Sequence, residues 1–169
     1  RLERDGSHSH RDWLADGPGD PRPAIAAELI GACAGARAVV AYNAGFEKAR
    51  LRELGEFLGG ATAAALEEVA ARLVDLLPVV RDHVYHPDFG GGFGLKAVLP
   101  ALVDGLSYDG MEIASGDAAT RALERLLLPE TALEAAERTR LREALLRYCE
   151  LDTWATVRLL ERLRELAGD

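Results

Sequence analysis

Cysteine is scarce in this chain. Only Cys33 and Cys149 occur among its 169 residues, and they lie far apart with no spacing typical of a metal site. Such isolated cysteines favour free thiols in a reducing compartment. We therefore expect a cytoplasmic protein.

Long apolar runs are also missing. Residues 24–37 are rich in alanine and glycine but are interrupted by Glu28. Because a membrane-spanning helix needs about 20 consecutive apolar residues, the sequence predicts neither a membrane span nor a signal peptide. The chain begins at Arg1 rather than at a methionine, so we expect it to be a piece of a longer protein.

Basic residues are fewer than acidic residues in this chain. Lys and Arg together number 20 and Asp and Glu 28, which gives a formal net charge of −8. The chain therefore lacks the basic surface that holds nucleic acid by charge alone. Nucleic acid is not excluded as a substrate, because carboxylates that hold divalent metals add negative charge and the metals restore positive charge locally. Without metal, we expect the affinity for nucleic acid to be weak.

The residues that are present predict a helix-rich α/β domain. Helical spacing of apolar residues occurs over residues 24–34, 46–58, 61–73, 95–103, 117–128 and 141–160. Two short apolar runs, residues 37–42 and 74–77, predict strands. Residues 1–23, rich in Asp, Gly, His and Pro, predict a loop-like N-terminal segment. The length is that of one domain over residues 1–169.

The last two predicted helices have boundary signals. Ser115 precedes the helix over residues 117–128, and its hydroxyl suits an N-cap. Pro129 predicts the end of that helix, and Thr131 predicts the cap of the next one. A break is therefore expected between the two helices.

The long helix near the end of the chain carries an aspartate in its apolar row. The row consists of Leu141, Leu145, Tyr148, Asp152, Ala155 and Leu159, at spacings of three and four residues. Burying an unpaired carboxylate is costly, so the pattern predicts a cation or several donors in front of Asp152. Tyr148, one turn earlier, would point to the same place. The alternative is a half-solvated Asp152 at the edge of the row beside an ordinary core tyrosine.

A second group of polar residues follows the first predicted strand. Asn43 ends the strand, and Glu47 lies in the first turn of the next helix, where the helix dipole favours an anion. Ligands of open α/β sheets gather at the carboxyl ends of strands, so both residues are candidates for a site. The alternative is that Asn43 makes a turn and Glu47 only satisfies the helix start.

Lys96 is a third candidate. It lies in the first turn of the helix over residues 95–103, after the glycine-rich stretch 90–94. Free backbone N–H groups at a helix start make this a suitable place for a phosphate. The alternative is a solvated lysine.

Five motifs in order carry a resemblance to a known family. They are Ala41-Tyr-Asn-Ala-Gly-Phe-Glu47, Tyr85-His-Pro87, Leu95-Lys-Ala-Val-Leu-Pro100, Leu106-Ser-Tyr108 and Tyr148-Cys-Glu-Leu-Asp-Thr153. With them, the chain resembles the DEDD (DnaQ-like) superfamily of 3′ to 5′ exonucleases, which have the ribonuclease H-like fold. It looks closer still to a bacterial family of unknown function predicted to be such nucleases. No single motif is specific, whereas five in the right order are.

The resemblance implies roles for particular residues. It makes Asp152 and Glu47 metal ligands, and it makes Tyr148 the residue that orients or deprotonates the attacking water. Asn43, Phe46 and Lys96 become substrate-binding residues. The implied reaction is hydrolysis of a phosphodiester at the 3′ end of DNA or RNA with two Mg²⁺ or Mn²⁺ ions. The implied partners are a nucleic acid 3′ end and another nuclease domain in the same polypeptide.

The sequence also departs from the superfamily. Its first motif, an Asp-x-Glu that supplies two carboxylates, occurs nowhere in this chain, and Glu47 stands where an Asp is usual. Either the N-terminal strands that carry the motif are missing from this chain or the site is degenerate, so we expect this fragment to be inactive. An unpaired sheet edge would then favour self-association.

Two other classes of function stay open. One is a catalytically degenerate module that binds nucleic acid or protein. The other is an all-helical interaction domain, which would require residues 37–42 to be helical.

Overall fold

Two short parallel strands lie beside each other in the structure, a computed structural model that describes residues 1–3, 5–17, 19–128 and 133–168. Strand β1 spans Val39–Ala41 and strand β2 spans Leu73–Asp75, with Val39 opposite Leu73 and Ala41 opposite Asp75. Parallel strands need a crossover connection, and two helices supply it here. The prediction of a strand within residues 37–42 is confirmed, so the all-helical alternative is wrong.

Helices make up most of the described chain. They are α1 (Arg22–Cys33), α2 (Gly45–Leu58), α3 (Gly60–Ala71), α4 (Leu76–His83), α5 (Leu95–Leu102), α6 (Gly116–Leu127) and α7 (Ala135–Ala167), with a 3₁₀ turn at Pro87–Phe89. Five of the six predicted helices are confirmed within two residues at their ends, and the sixth, predicted over residues 141–160, is confirmed but is longer, spanning Ala135–Ala167. The Ser115 hydroxyl accepts a hydrogen bond from the Ala118 N–H at 3.2 Å, which confirms the predicted cap. Pro129 and Thr131 lie outside the described residues.

The second strand is shorter than the sequence predicts. Residues 74–77 were expected to be extended, but the strand ends at Asp75 and helix α4 begins at Leu76. The reason is that the Asp75 carboxylate accepts a hydrogen bond from the Leu77 N–H at 2.9 Å and so caps α4. Pro78 is tolerated in the first turn of α4, where a backbone N–H has no partner within the helix.

Helix α7 supplies side chains to three of the four hydrophobic clusters. Its Leu141 and Leu145 pack with α6, its Ala155 packs with α5 and the loop after it, and its Leu159 packs with α4 and α5. All four of these residues are buried, which confirms the predicted apolar row. The remaining cluster lies between α1, α2 and α3.

The N-terminal segment lies against this framework. An antiparallel bridge joins Leu2 to His8, and Leu14 packs on the cluster between α6 and α7. The Arg142 guanidinium of α7 donates to the backbone carbonyls of Leu14 and Ala15 at 2.9 and 3.0 Å. Over the described ranges, no helix combines the length and the apolar character needed to cross a membrane.

One carboxylate connects the two strand ends. Asp75 accepts hydrogen bonds from the backbone N–H groups of Asn43 at 2.8 Å and Ala44 at 3.0 Å, in addition to Leu77. Asn43 has a φ of 65°, a left-handed conformation that asparagine tolerates better than most residues. The Asp75 carboxylate thereby fixes the turn after β1 and the start of α4 together.

We expect Asp75→Ala to lower the free energy of unfolding by roughly 2–4 kcal/mol, because three backbone donors lose a charged acceptor. Urea unfolding followed by circular dichroism measures this loss. The control is Asp82→Ala, since Asp82 is exposed and its one ion-pair partner among the described residues is its neighbour Arg81. The unfolding midpoint of this variant should equal that of the wild type. Equal midpoints for the two variants would contradict the bridging role of Asp75.

Candidate active site

Asp152 meets a tyrosine from a distant loop. The Tyr108 hydroxyl donates to Asp152 Oδ1 at 2.6 Å, and Tyr108 is only 8% exposed. The loop that carries Tyr108 connects α5 to α6 and is fixed by a tight turn, in which the Ser107 hydroxyl donates to Asp109 at 2.7 Å. The half-buried carboxylate of Asp152 therefore has a donor in front of it, and that donor is a neutral phenol.

Two further candidate residues gather around Tyr108. The Tyr148 ring lies 6.2 Å from the Tyr108 ring between centroids, at an interplanar angle of 53°. The Lys96 ammonium lies 5.0 Å from the centroid of the Tyr108 ring and donates to the Ala114 carbonyl. The structure thus brings Lys96, Tyr148 and Asp152 together, with Tyr108 between them.

The electrostatics of this group keep both phenols protonated. Burial raises the pKa of Tyr148 to about 12, and the negative charge of Asp152 contributes to the rise. Burial also raises the pKa of Tyr108, which its hydrogen bond to Asp152 raises further. At neutral pH in the metal-free chain, the Tyr148 hydroxyl can donate or accept a hydrogen bond but does not act as a base.

The residues predicted after the first strand form a separate group. Phe46 is 66% exposed at the start of α2, and the Arg50 guanidinium lies 5.4 Å from the centroid of its ring. Glu47 is half-buried, and its Oε2 atom is fully buried without a hydrogen-bond partner among the described residues. Asn43 is exposed beside them.

A groove leads from Asn43 toward the helix that carries Lys96. Its volume is about 470 Å³, and its lining is formed by Tyr42, Asn43, Leu77, Arg81, Phe93, Gly94 and Leu95. The Tyr42 hydroxyl donates to the Phe93 carbonyl, which ties β1 to the start of α5. Within the part of the chain that the structure describes, no hydrogen bond or ion pair joins Asn43 or Glu47 to Tyr148 or Asp152.

The chemistry of the carboxylates suits part of a divalent metal site. Hard cations such as Mg²⁺ and Mn²⁺ take oxygen ligands, and a buried carboxylate oxygen without a partner, as in Glu47, is costly unless a cation or donor meets it. Asp152 offers a second carboxylate. Among residues 1–3, 5–17, 19–128 and 133–168, however, no group of three or more His, Cys, Asp or Glu side chains could hold a metal ion.

Sequence reasoning missed two residues of this region. The sequence places Tyr108 only in a motif and Asp75 only within the predicted strand 74–77. The signal for Asp75 was present, because an Asp directly before the first apolar residues of a helix is a typical N-cap. The contact of Tyr108 with Asp152 spans 44 residues of sequence and has no local signal.

Comparison with known proteins gives one family. A family model described as Domain of unknown function (DUF2779) matches residues 1–94. No curated protein and no solved structure matches the sequence. The matched range contains Asn43, Phe46 and Glu47, whereas Lys96, Tyr148 and Asp152 lie beyond it.

We expect Tyr148 to ionise with a midpoint at about pH 12 in the chelator-treated protein. The absorbance of the phenolate follows this ionisation, and the step that disappears in Tyr148→Phe is the one that belongs to Tyr148. Asp152→Asn removes a nearby negative charge that opposes ionisation, so the midpoint should fall. It should stay above the ordinary value near 10 because burial persists. Circular dichroism over the same pH range checks that the fold is retained. Ionisation of Tyr148 near its ordinary pKa would contradict the burial of its hydroxyl.

Proposed function

The chain belongs to the family described as Domain of unknown function (DUF2779), and we propose that it acts as a metal-dependent nuclease domain. In this proposal, the domain hydrolyses phosphodiesters of DNA or RNA in the 3′ to 5′ direction. It is an exonuclease of the DEDD (DnaQ-like) type and has a ribonuclease H-like fold. The tyrosine subclass is the relevant one, because Tyr148 and Asp152 lie one turn apart on α7.

The observation that carries this proposal is the buried Glu47 Oε2 atom. It has no partner among the described residues. Glu47 lies in the first turn of α2, the helix that follows the carboxyl end of β1, and ligands of α/β sheets bind near the carboxyl ends of strands. A carboxylate oxygen removed from water needs a cation or a donor to offset its lost hydration. A divalent cation is the partner that this chemistry favours.

The parallel pairing of β1 and β2 supports the proposed fold. The polar residues Asn43 and Asp75 lie at the carboxyl ends of these strands. Helix α7 contributes to the same hydrophobic cluster as β1, so the last helix packs near the sheet that positions Glu47. This arrangement is compatible with a site shared between the strand ends and α7.

In the proposed mechanism, Glu47 and Asp152 would hold the metal together with further ligands. Bound Mg²⁺ or Mn²⁺ supplies activation of water and stabilisation of the leaving oxygen. In the metal-free chain, burial and the Asp152 charge raise the pKa of Tyr148 to about 12. With metal bound at Asp152, the Tyr148 hydroxyl would orient or deprotonate the attacking water.

Three other residues would bind the substrate. The exposed ring of Phe46 offers a face on which a base can stack. Asn43, three residues earlier in the chain, is exposed as well. Lys96 lies at the start of α5, where free N–H groups attract a phosphate. A nucleic acid 3′ end is the proposed partner, along with a second nuclease domain in the same polypeptide, and a cytoplasmic location agrees with both.

The second candidate is a degenerate module that binds nucleic acid or protein. It is favoured by one finding, the lack of a group of three potential metal ligands over the described ranges. In that case the surface of Asn43 and Phe46 would bind a partner without hydrolysing it. The edge of β1 that pairs with no strand among the described residues would favour self-association.

We expect Mn²⁺-dependent release of nucleotides from 3′-labelled single-stranded DNA or RNA by the gene product that contains this chain. Asp152→Asn and Glu47→Gln should each lower the rate at least about 100-fold, because each removes a ligand charge. Matched controls are Glu150→Gln on α7 and Glu56→Gln on α2, which are exposed and should leave the rate unchanged. Full activity in Asp152→Asn would contradict the site, and silence together with absent Mn²⁺ binding would favour the binding module.

We expect Tyr148→Phe to lower kcat by about 10- to 100-fold, because it removes the hydroxyl that orients water. Mn²⁺ affinity, measured by calorimetry, should stay unchanged because Tyr148 is not a ligand. A variant with normal kcat and weakened Mn²⁺ binding would reverse the roles of Tyr148 and Asp152.

A further inference from the structure

We propose that Tyr108 is a positioning residue for Asp152, holding its carboxylate in the orientation that a divalent cation requires. This inference rests on the proposed function and deepens it, because it assigns a role to a residue that the resemblance left without one. The hydrogen bond from the Tyr108 hydroxyl to Asp152 Oδ1, at 2.6 Å, is the contact from which the argument starts.

The other acidic residues of α7 show why this partner is unusual. Four of the other five pair with arginines, and the fifth, Glu150, is exposed without an ion pair among the described residues; the four pairs are Glu137 with Arg125, Glu143 with Arg147, Glu161 with Arg158, and Glu165 with Arg162. Asp152 has no ion pair among the described residues and has a phenol instead. An arginine would neutralise the carboxylate and compete with a cation, whereas a phenol leaves its full negative charge in place.

The phenol itself is held rigidly. Tyr108 packs among buried apolar residues of α5 and α7, including Leu99, Val103 and Ala155. The Lys96 ammonium lies over its ring at 5.0 Å from the centroid, which adds a cation–π contact. With the ring fixed, its hydroxyl limits the rotation of the Asp152 side chain. The hydrogen bond is made to Oδ1, and a carboxylate has further lone pairs on both oxygens with which it could meet a cation.

Side chains that hydrogen-bond to a metal ligand fix its orientation and thereby affect the affinity for the metal. Removing such a partner typically lowers metal affinity about 10- to 100-fold. Tyr108→Phe keeps the ring, its packing and the contact with Lys96, and it deletes only the donor. We therefore expect a loss of Mn²⁺ affinity of about tenfold or more in this variant.

The control is Tyr42→Phe. The Tyr42 hydroxyl is half-buried and donates to a backbone carbonyl, that of Phe93. This variant therefore loses a comparable hydrogen bond that has no contact with Asp152. Both variants should lower the thermal midpoint of unfolding to a similar degree, while only Tyr108→Phe should weaken Mn²⁺ binding. A purely structural role for Tyr108 would make the two variants alike in both measurements.

The experiment titrates the gene product that contains this chain with MnCl₂ and follows free Mn²⁺ by electron paramagnetic resonance. The proteins compared are the wild type, Tyr108→Phe, Tyr42→Phe, Asp152→Asn and the double variant Tyr108→Phe/Asp152→Asn. If Tyr108 acts through Asp152, the double variant should bind Mn²⁺ no more weakly than Asp152→Asn alone.

The outcomes separate this inference from the proposed function. Weak binding by Asp152→Asn with wild-type affinity in Tyr108→Phe would overturn the positioning role and leave the metal site standing. Additive losses in the double variant would overturn it as well, because Tyr108 would then act independently of Asp152. Wild-type affinity in Asp152→Asn, or no Mn²⁺ binding by any of the proteins, would overturn both proposals.

Discussion

Burial of one face of α7 is the interaction on which most of the structure depends. Helix spacing places Leu141, Leu145, Ala155 and Leu159 in one row, and all of them are buried. Side chains of the row belong to three of the four hydrophobic clusters among the described residues. Rotation of α7 about its axis would therefore expose several of these side chains. Because Tyr148 and Asp152 share the row, the same burial turns them toward the interior and aligns them with Tyr108. The position of the candidate site is thus a consequence of apolar packing.

Two carboxylates near the strand ends have opposite surroundings. Asp75 is saturated with backbone donors, which explains why it stabilises the turn and the start of α4. Glu47 has a buried oxygen without a partner over the described ranges. A carboxylate whose oxygens accept several hydrogen bonds stabilises the fold. A buried carboxylate oxygen without a partner lowers the stability of the fold, and a bound ligand can offset this loss. This contrast supports the proposal that Glu47, rather than Asp75, binds the metal.

The features that depend on local spacing could be predicted from the sequence. The apolar row of α7, the β-branched run of β1 and the Ser115 cap each have a signal within a few residues, and each is confirmed. The strand prediction at Leu76 and Leu77 was wrong because a short apolar run suits a strand or a helix start equally, and the Asp75 side chain decides between them. The bond of Tyr108 to Asp152 depends on tertiary packing across 44 residues, which no local pattern encodes. Whether Glu47 and Asp152 bind one metal stays a prediction.

The core described above also bears on where the folding unit ends. The family match stops at residue 94, but Leu76, Val80 and Phe89 pack in one cluster with Val98 and Leu159. A polypeptide ending at residue 94 would leave these three apolar side chains without part of their cover, and exposed apolar patches promote association. The segment of this chain that matches the family model is therefore smaller than the unit that buries this cluster, because α5 and α7 supply part of its cover.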